Sequence, residues 1–141
     1  MMFFHGIQIQ LLTYMDIIAE KQQKMPAGVL YFNLIEPIIN SGKNLTEEEI
    51  ELKIKQEFRM KGLVLADIKV IKMMDKTLEQ GSSSIIPVYL GKDETISDVK
   101  SSVITKYEFS KLRVKIRKII EEIANEILNG NIDIRPIYDK K

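Results

Sequence analysis

Four tripeptides in this 141-residue chain set an acid and a lysine two positions apart: Glu51-Leu52-Lys53, Asp67-Ile68-Lys69, Asp98-Val99-Lys100 and Asp139-Lys140-Lys141. On a strand, with an earlier acid nearby, such a pattern can hold a divalent metal that activates water, while the lysine stabilises charge developing on a phosphate. Roughly two such tripeptides arise by chance at this composition, so the spacing alone carries little. The most suggestive is "GLVLADIK", residues 62–69, because an apolar run precedes it and Glu36 before Pro37 would supply the earlier acid. A competing reading makes Asp67 the N-cap of a short helix running through Lys76, since Val70, Ile71 and Met74 continue at helical spacing. The cap and period signals favour that second reading.

Two further groups invite chemistry. Lys111, Arg113, Lys115, Arg117 and Lys118 crowd the first half of a long helical pattern, and Glu121, Glu122 and Glu126 follow. That order opposes the helix dipole, which favours acids first, so Lys111, Lys115, Arg117 and Lys118 are candidate DNA contacts. The alternative is a solvated face with acid-base pairs along the helix, favoured by the presence of both signs and by the lack of interleaved aromatic or glycine residues. His5, the single histidine, has no evident partner and reads as a satisfied buried histidine rather than a catalytic one. The chain has no P-loop, dinucleotide fingerprint or G-x-S-x-G elbow.

Gln10 and Tyr14 are the third group. Ile7, Leu11, Tyr14, Ile17 and Ile18 recur at three- and four-residue spacing, which predicts a helix to about Glu20 with an apolar face. Gln10 and Tyr14 lie four apart and so are neighbours on its surface. Two polar groups there pose a question that composition does not answer.

The elements that would position these groups follow in order. "KQQKMPAG" breaks the first helix, and "GVLYFNLI" reads as a strand apolar on both faces, hence central and covered, with Tyr31 and Phe32 in the core. Thr46 with Glu49 forms a capping box opening a helix whose buried stripe is Ile50, Ile54 and Phe58, with Gly62 as its stop. "QGSSS" reads as a loop, and "IIPVYL" alternates like a strand that Pro87 confines to an edge. A second capping box at Thr105 opens the longest helix, with Phe109, Leu112, Ile116, Ile119, Ile123 and Ile127 as its stripe and Asn129-Gly130-Asn131 as its end. This is an α and β mixture with few strands for a closed sheet.

Composition bounds the rest. A chain of this length buries roughly 70% of its unfolded surface and suits one domain. Lysine and arginine number 21 against 20 acids, so no global field draws the chain to nucleic acid or lipid. Without cysteine it has no disulfide, thiol nucleophile or thiolate-held cluster of its own, and one histidine excludes a multi-histidine zinc site. No segment reads as a secretory signal or membrane span, and a cytoplasmic setting fits. The opening "MMFF" is already apolar, as though the chain were entered midway through a domain.

"QLLTY", Gln10 to Tyr14, is similar to the Q-x-x-x-Y helix of RecB-type nucleases in the PD-(D/E)XK superfamily. With "MPAGVLYFNLIEPII", "FRMKGLVLADIKVIKMMD", "SSSIIPVYL" and "NEILNGNIDIRPIYDK" in order, nearly the whole chain resembles the carboxy-terminal nuclease domain of the AddB family. The resemblance implies an α+β fold: an incomplete restriction-endonuclease-like core of helix plus central strand, with a carboxy-terminal helical extension, residues 1–141 forming one partial domain. It further implies a DNA substrate, an AddA-like helicase-nuclease partner, Mg2+ and an iron-sulfur cluster in the full-length family, and a role in double-strand end processing. Only Gln10 and Tyr14 carry over as motif residues, beside the family's metal site. The family's catalytic acids and "DYK" strand precede that helix and its cysteines follow the last segment, so the chain is expected to be an inactive fragment with an exposed apolar patch and a tendency to self-associate. Other readings are a free-standing DNA-binding or dimerising module, and a minimal nuclease using Glu36, Asp67 and Lys69.

Overall fold

The computed structural model describes residues 9–32, 34 and 45–133; the "MMFF" opening, His5, Glu36 and the tripeptide at Asp139 lie outside them. The elements run α1 (Ile9–Gln22), β1 (Gly28–Tyr31), α2 (Glu47–Glu57), β2 (Lys61–Leu65), α3 (Ile68–Met74), β3 (Gly81–Ser82), β4 (Tyr89–Leu90), β5 (Val103–Ile104) and α4 (Lys106–Leu128). The chain is thus mixed α and β, in two compact units: residues 1–25 with 107–141, and residues 26–106.

The 26–106 unit is built on a three-stranded sheet of order β1-β2-β5, antiparallel between β1 and β2 and parallel between β2 and β5. Among the described residues β2 is therefore central and β1 an edge, which corrects the expectation that "GVLYFNLI" is a covered central strand. Apolarity on both faces did not mean burial on both faces: Val29 is buried, but Tyr31, Phe32 and Leu34 are exposed. Gly62 is likewise not a helix stop. Helix α2 ends at Glu57, with Phe58 as its C-cap, and Gly62 sits inside β2 at φ +134°, opposite Leu30. A Cβ there would meet the Val29 carbonyl oxygen at 2.1 Å, so the sheet register itself requires glycine.

Helix α2 forms for the expected local reason. Glu49 N donates to Thr46 Oγ1 at 3.3 Å and Thr46 N donates to Glu49 Oε2 at 3.0 Å, closing the capping box, and Glu47, Glu48 and Glu49 sit at the positive dipole end. Its stripe fares differently: Ile50 and Phe58 are exposed and Ile54 only half-buried. The core lies instead around β2, where Val64, Ile71, Leu78, Ile86, Val88 and Leu90 form one buried cluster. Ile86, Val88 and Leu90 show that the "IIPVYL" alternation is real. Only Tyr89 and Leu90 join a ladder, with β3 in the stretch expected to be loop, because Pro87 offers no N–H.

In the other unit, Leu12, Met15, Asp16 and Ala19 are the buried face of α1, and Phe109 and Ile116 are buried on α4. Helix α4 stops as expected: Asn131 N donates to Glu126 O and Gly130 N to Ile127 O, both at 3.0 Å, with Gly130 at φ +72°. The α4 stripe is buried only in its first half, and Ile120, Ile123, Ile127 and Leu128 are exposed. No helix among the described residues is long and apolar enough to cross a membrane.

Candidate functional site

Helix α1 brings Gln10 and Tyr14 together as their spacing requires. Gln10 Nε2 donates to Tyr14 Oη at 3.0 Å, and Tyr14 is 54% exposed. The bond fixes the donor side of the amide and leaves Gln10 Oε1 to accept and the Tyr14 hydroxyl to donate. Held in this way, the pair offers Gln10 Oε1 as an acceptor, and the Tyr14 hydroxyl and the second Gln10 Nε2–H as donors, to whatever approaches the helix.

Which face of α1 carries this pair is settled by a residue that periodicity passed over. Ile17 and Ile18 are exposed beside Tyr14, so the apolar face expected to be buried points outward, and the buried face carries Asp16 at 6% exposure. Asp16 accepts from Arg113 Nε through Oδ1 and from Arg117 Nε through Oδ2 at 2.6 Å, while Arg117 Nη2 donates to Glu20 at 2.8 Å. Burial pushes the Asp16 carboxyl up, but hydrogen bonds and charge from Arg117 and Arg113 outweigh it and hold the group below the ordinary 3.8. Asp16 and Glu20 hold Arg117 still more firmly protonated. The signal that would have found Asp16 is its register: it lies four residues after Leu12 and three before Ala19.

This cluster also accounts for much of the basic edge on α4. Arg113 and Arg117 are turned to the acids of α1, Lys111 Nζ lies 4.4 Å from the Tyr107 ring centroid, and Lys118 lies 3.8 Å from Glu122. Lys115 also has a partner. The four candidate DNA contacts thus share one helix, each already engaged.

None of the described acid-x-Lys tripeptides lies on a strand. Glu51-Leu52-Lys53 is inside α2, where Glu51 pairs with Lys55 at 2.7 Å. Asp67 is the N-cap of α3, its Oδ1 accepting from Lys69 N at 2.9 Å and Val70 N at 3.4 Å, so the capping reading holds and the helix ends at Met74. Asp98-Val99-Lys100 forms an exposed turn. Among the described residues the buried acid of the 26–106 unit is Asp75, which accepts from Thr77 N, Thr77 Oγ1 and Ser83 Oγ. Burial raises its pKa, but these donors bring it below 3.8 overall, so it is a satisfied structural carboxylate.

Among the described residues the donor set does not fit the metal groups that the resemblance implies. No three His, Cys, Asp or Glu side chains converge to hold a metal ion among the described residues. A chain without cysteine offers no thiolate to an iron-sulfur cluster.

No family model matches the chain. It is 44% identical over 98% of its length to the AddB subunit of an ATP-dependent helicase/deoxyribonuclease from Acetivibrio thermocellus. Identity is 42% over 97% to the protein of that name from Clostridium novyi, and 41% over 94% to that of a Thermoanaerobacter species. The chain spans 12% of the length of each.

Proposed function

We propose that this chain, a relative of one segment of the AddB subunit of ATP-dependent helicase/deoxyribonucleases, serves in the nuclease portion of such a protein, acting on DNA ends in the reducing cytoplasm beside an AddA-like partner. The observation that carries the reading is the continuous similarity, 41–44% identity over nearly the whole chain. The hydrogen-bonded Gln10–Tyr14 pair on an outward face of α1 supports it. In this role α1 flanks a restriction-endonuclease-like metal site. The Tyr14 hydroxyl and the second Gln10 Nε2–H donate to, and so orient, catalytic carboxylates of the longer protein or a phosphate of the DNA, and Ile17 and Ile18 pack against the same region. Mg2+ and an iron-sulfur cluster belong to that larger assembly. The chain alone does not activate water, because a glutamine and a tyrosine cannot replace metal-holding acids.

The test is a chimera. The 141 residues replace the matching segment of the Acetivibrio thermocellus relative, and Mg2+-dependent degradation of linear DNA is measured with its AddA-like partner present. The chimera is expected to cleave, and Gln10→Ala or Tyr14→Phe to slow it about 10- to 100-fold, the usual effect of losing an orienting hydrogen bond at a metal site. Full cleavage by both variants, or cleavage by the isolated chain that responds to its mutation, would overturn the proposal.

A further inference from the structure

The Asp16 cluster has a geometric relation to the Gln10–Tyr14 pair. At about 100° of turn per residue, Asp16 lies about 160° around the axis of α1 from Tyr14 and about 120° from Gln10. Holding Asp16 against α4 therefore holds the pair on the outward side, where both residues are exposed.

Apolar burial does not choose this orientation. The outward side carries Tyr14, Ile17 and Ile18, and the buried side carries Leu12, Met15 and Ala19 around a charge. The outward set has the larger apolar side chains, so buried area alone would turn α1 the other way. What the buried side has instead is a carboxylate anchored through both oxygens. Oδ1 accepts from Arg113 Nε and Oδ2 from Arg117 Nε at 2.6 Å, donors one turn apart on α4, while Glu20, one turn further along α1, accepts from Arg117 Nη2 at 2.8 Å. Two oxygens on two separate donors fix both the roll and the slide of a helix. A roll of one residue position would strip Asp16 of those donors, and a buried charge left unpaired is strongly destabilising.

We propose that Asp16, clamped by Arg113 and Arg117, is a positioning residue for the nuclease site: the clamp holds α1 in the rotation that presents Gln10 and Tyr14 to the catalytic groups. The inference rests on the nuclease reading, and it assigns Arg113 and Arg117 to the alignment of α1 rather than to DNA.

Because the chain has no cysteine, single introduced thiols report which face of α1 is outward. In the whole chain Ile18→Cys is expected to react quickly with a maleimide and Met15→Cys slowly, in line with their exposure. Adding Asp16→Asn should slow the first and quicken the second. In the chimera, Asp16→Asn should lower kcat on linear DNA about tenfold, the size of effect that losing an orienting partner has, with KM unchanged. Combined with Tyr14→Phe it should cost no more than the larger single effect, because both act through one pair. Arg113→Gln leaves Asp16 bonded to Arg117 and should move every readout the same way by less. It carries the test if circular dichroism shows Asp16→Asn to be unfolded. Unchanged labelling in a folded variant, quickening at position 15 with no slowing at position 18, unchanged kcat, or effects that multiply with Tyr14→Phe would each overturn the clamp's positioning role. An active chimera alongside any of these leaves the nuclease reading standing, whereas an inactive chimera with the labelling shift refutes that reading and keeps the clamp as what turns α1.

Discussion

Among the described residues each unit of the molecule buries one carboxylate, and the two are satisfied in opposite ways. Asp75 finds its donors within eight residues, at Thr77 and Ser83, and Ser83 Oγ in turn accepts from Ile85 N and Ile86 N. It ties one loop to the core cluster that begins at Val64. Asp16 reaches 97 and 101 residues along the chain, to Arg113 and Arg117. The first is a local turn that folding of the loop completes. The second sets the rotation of α1 and so determines that Gln10, Tyr14, Ile17 and Ile18 face outward. A buried charge of this kind is a better selector of one helix face than a source of stability, because desolvation offsets much of the pairing energy.

The sharpest way to break this comparison is to ask which face of α1 is buried. Leu12→Ala should lose about 3 kcal/mol in urea unfolding followed by helical circular dichroism, whereas Ile18→Ala should lose less than about 0.5 kcal/mol. The reverse order would mean that α1 is turned the other way. Asp75→Ala comes next, at about 2 kcal/mol, since it strips hydrogen bonds from a buried loop; amide exchange should quicken at Ile85 and Ile86.

Acid should act on both carboxylates. Each has a folded pKa below the ordinary 3.8, so its contribution is complete above that value and is lost as pH falls through the lower folded one. Stability should therefore be level from about pH 5 upward and decline below about pH 4. Asp16→Asn should remove the part of that decline seen in the helices and leave the part reported by the Asp75 loop. A decline that starts near pH 6 would require another group. The smallest effect expected is that of Thr46→Ala, about 1 kcal/mol and confined to α2, checked by exchange of the amides at Glu48 and Glu49.

Much of the fold was legible. The Thr46 box, the Asp67 cap, the Gly130 stop and the full span of α4 were all readable, as was the Gln10–Tyr14 adjacency. Burial was not. The Ile50 and Phe58 stripe, the Tyr31 and Phe32 pair and the end of the α4 stripe are apolar at the right spacing yet exposed, because periodicity marks a face that can be covered without showing what covers it. Asp16 was missed for the complementary reason, a charge being read as surface until its partners are in view.

By itself, then, the sequence determined where α2, α3 and α4 begin, where α4 ends and which side chains share a turn, since caps, stops and four-residue spacings are interactions among residues that are neighbours in the chain. Only the tertiary structure decided that among the described residues β2 and not β1 is central, that Gly62 serves a sheet register, and that α1 buries Asp16 and presents Gln10 and Tyr14. Those outcomes depend on backbone approaches and ion pairs between residues tens of positions apart, and their energies exist only once the chain has brought the partners together.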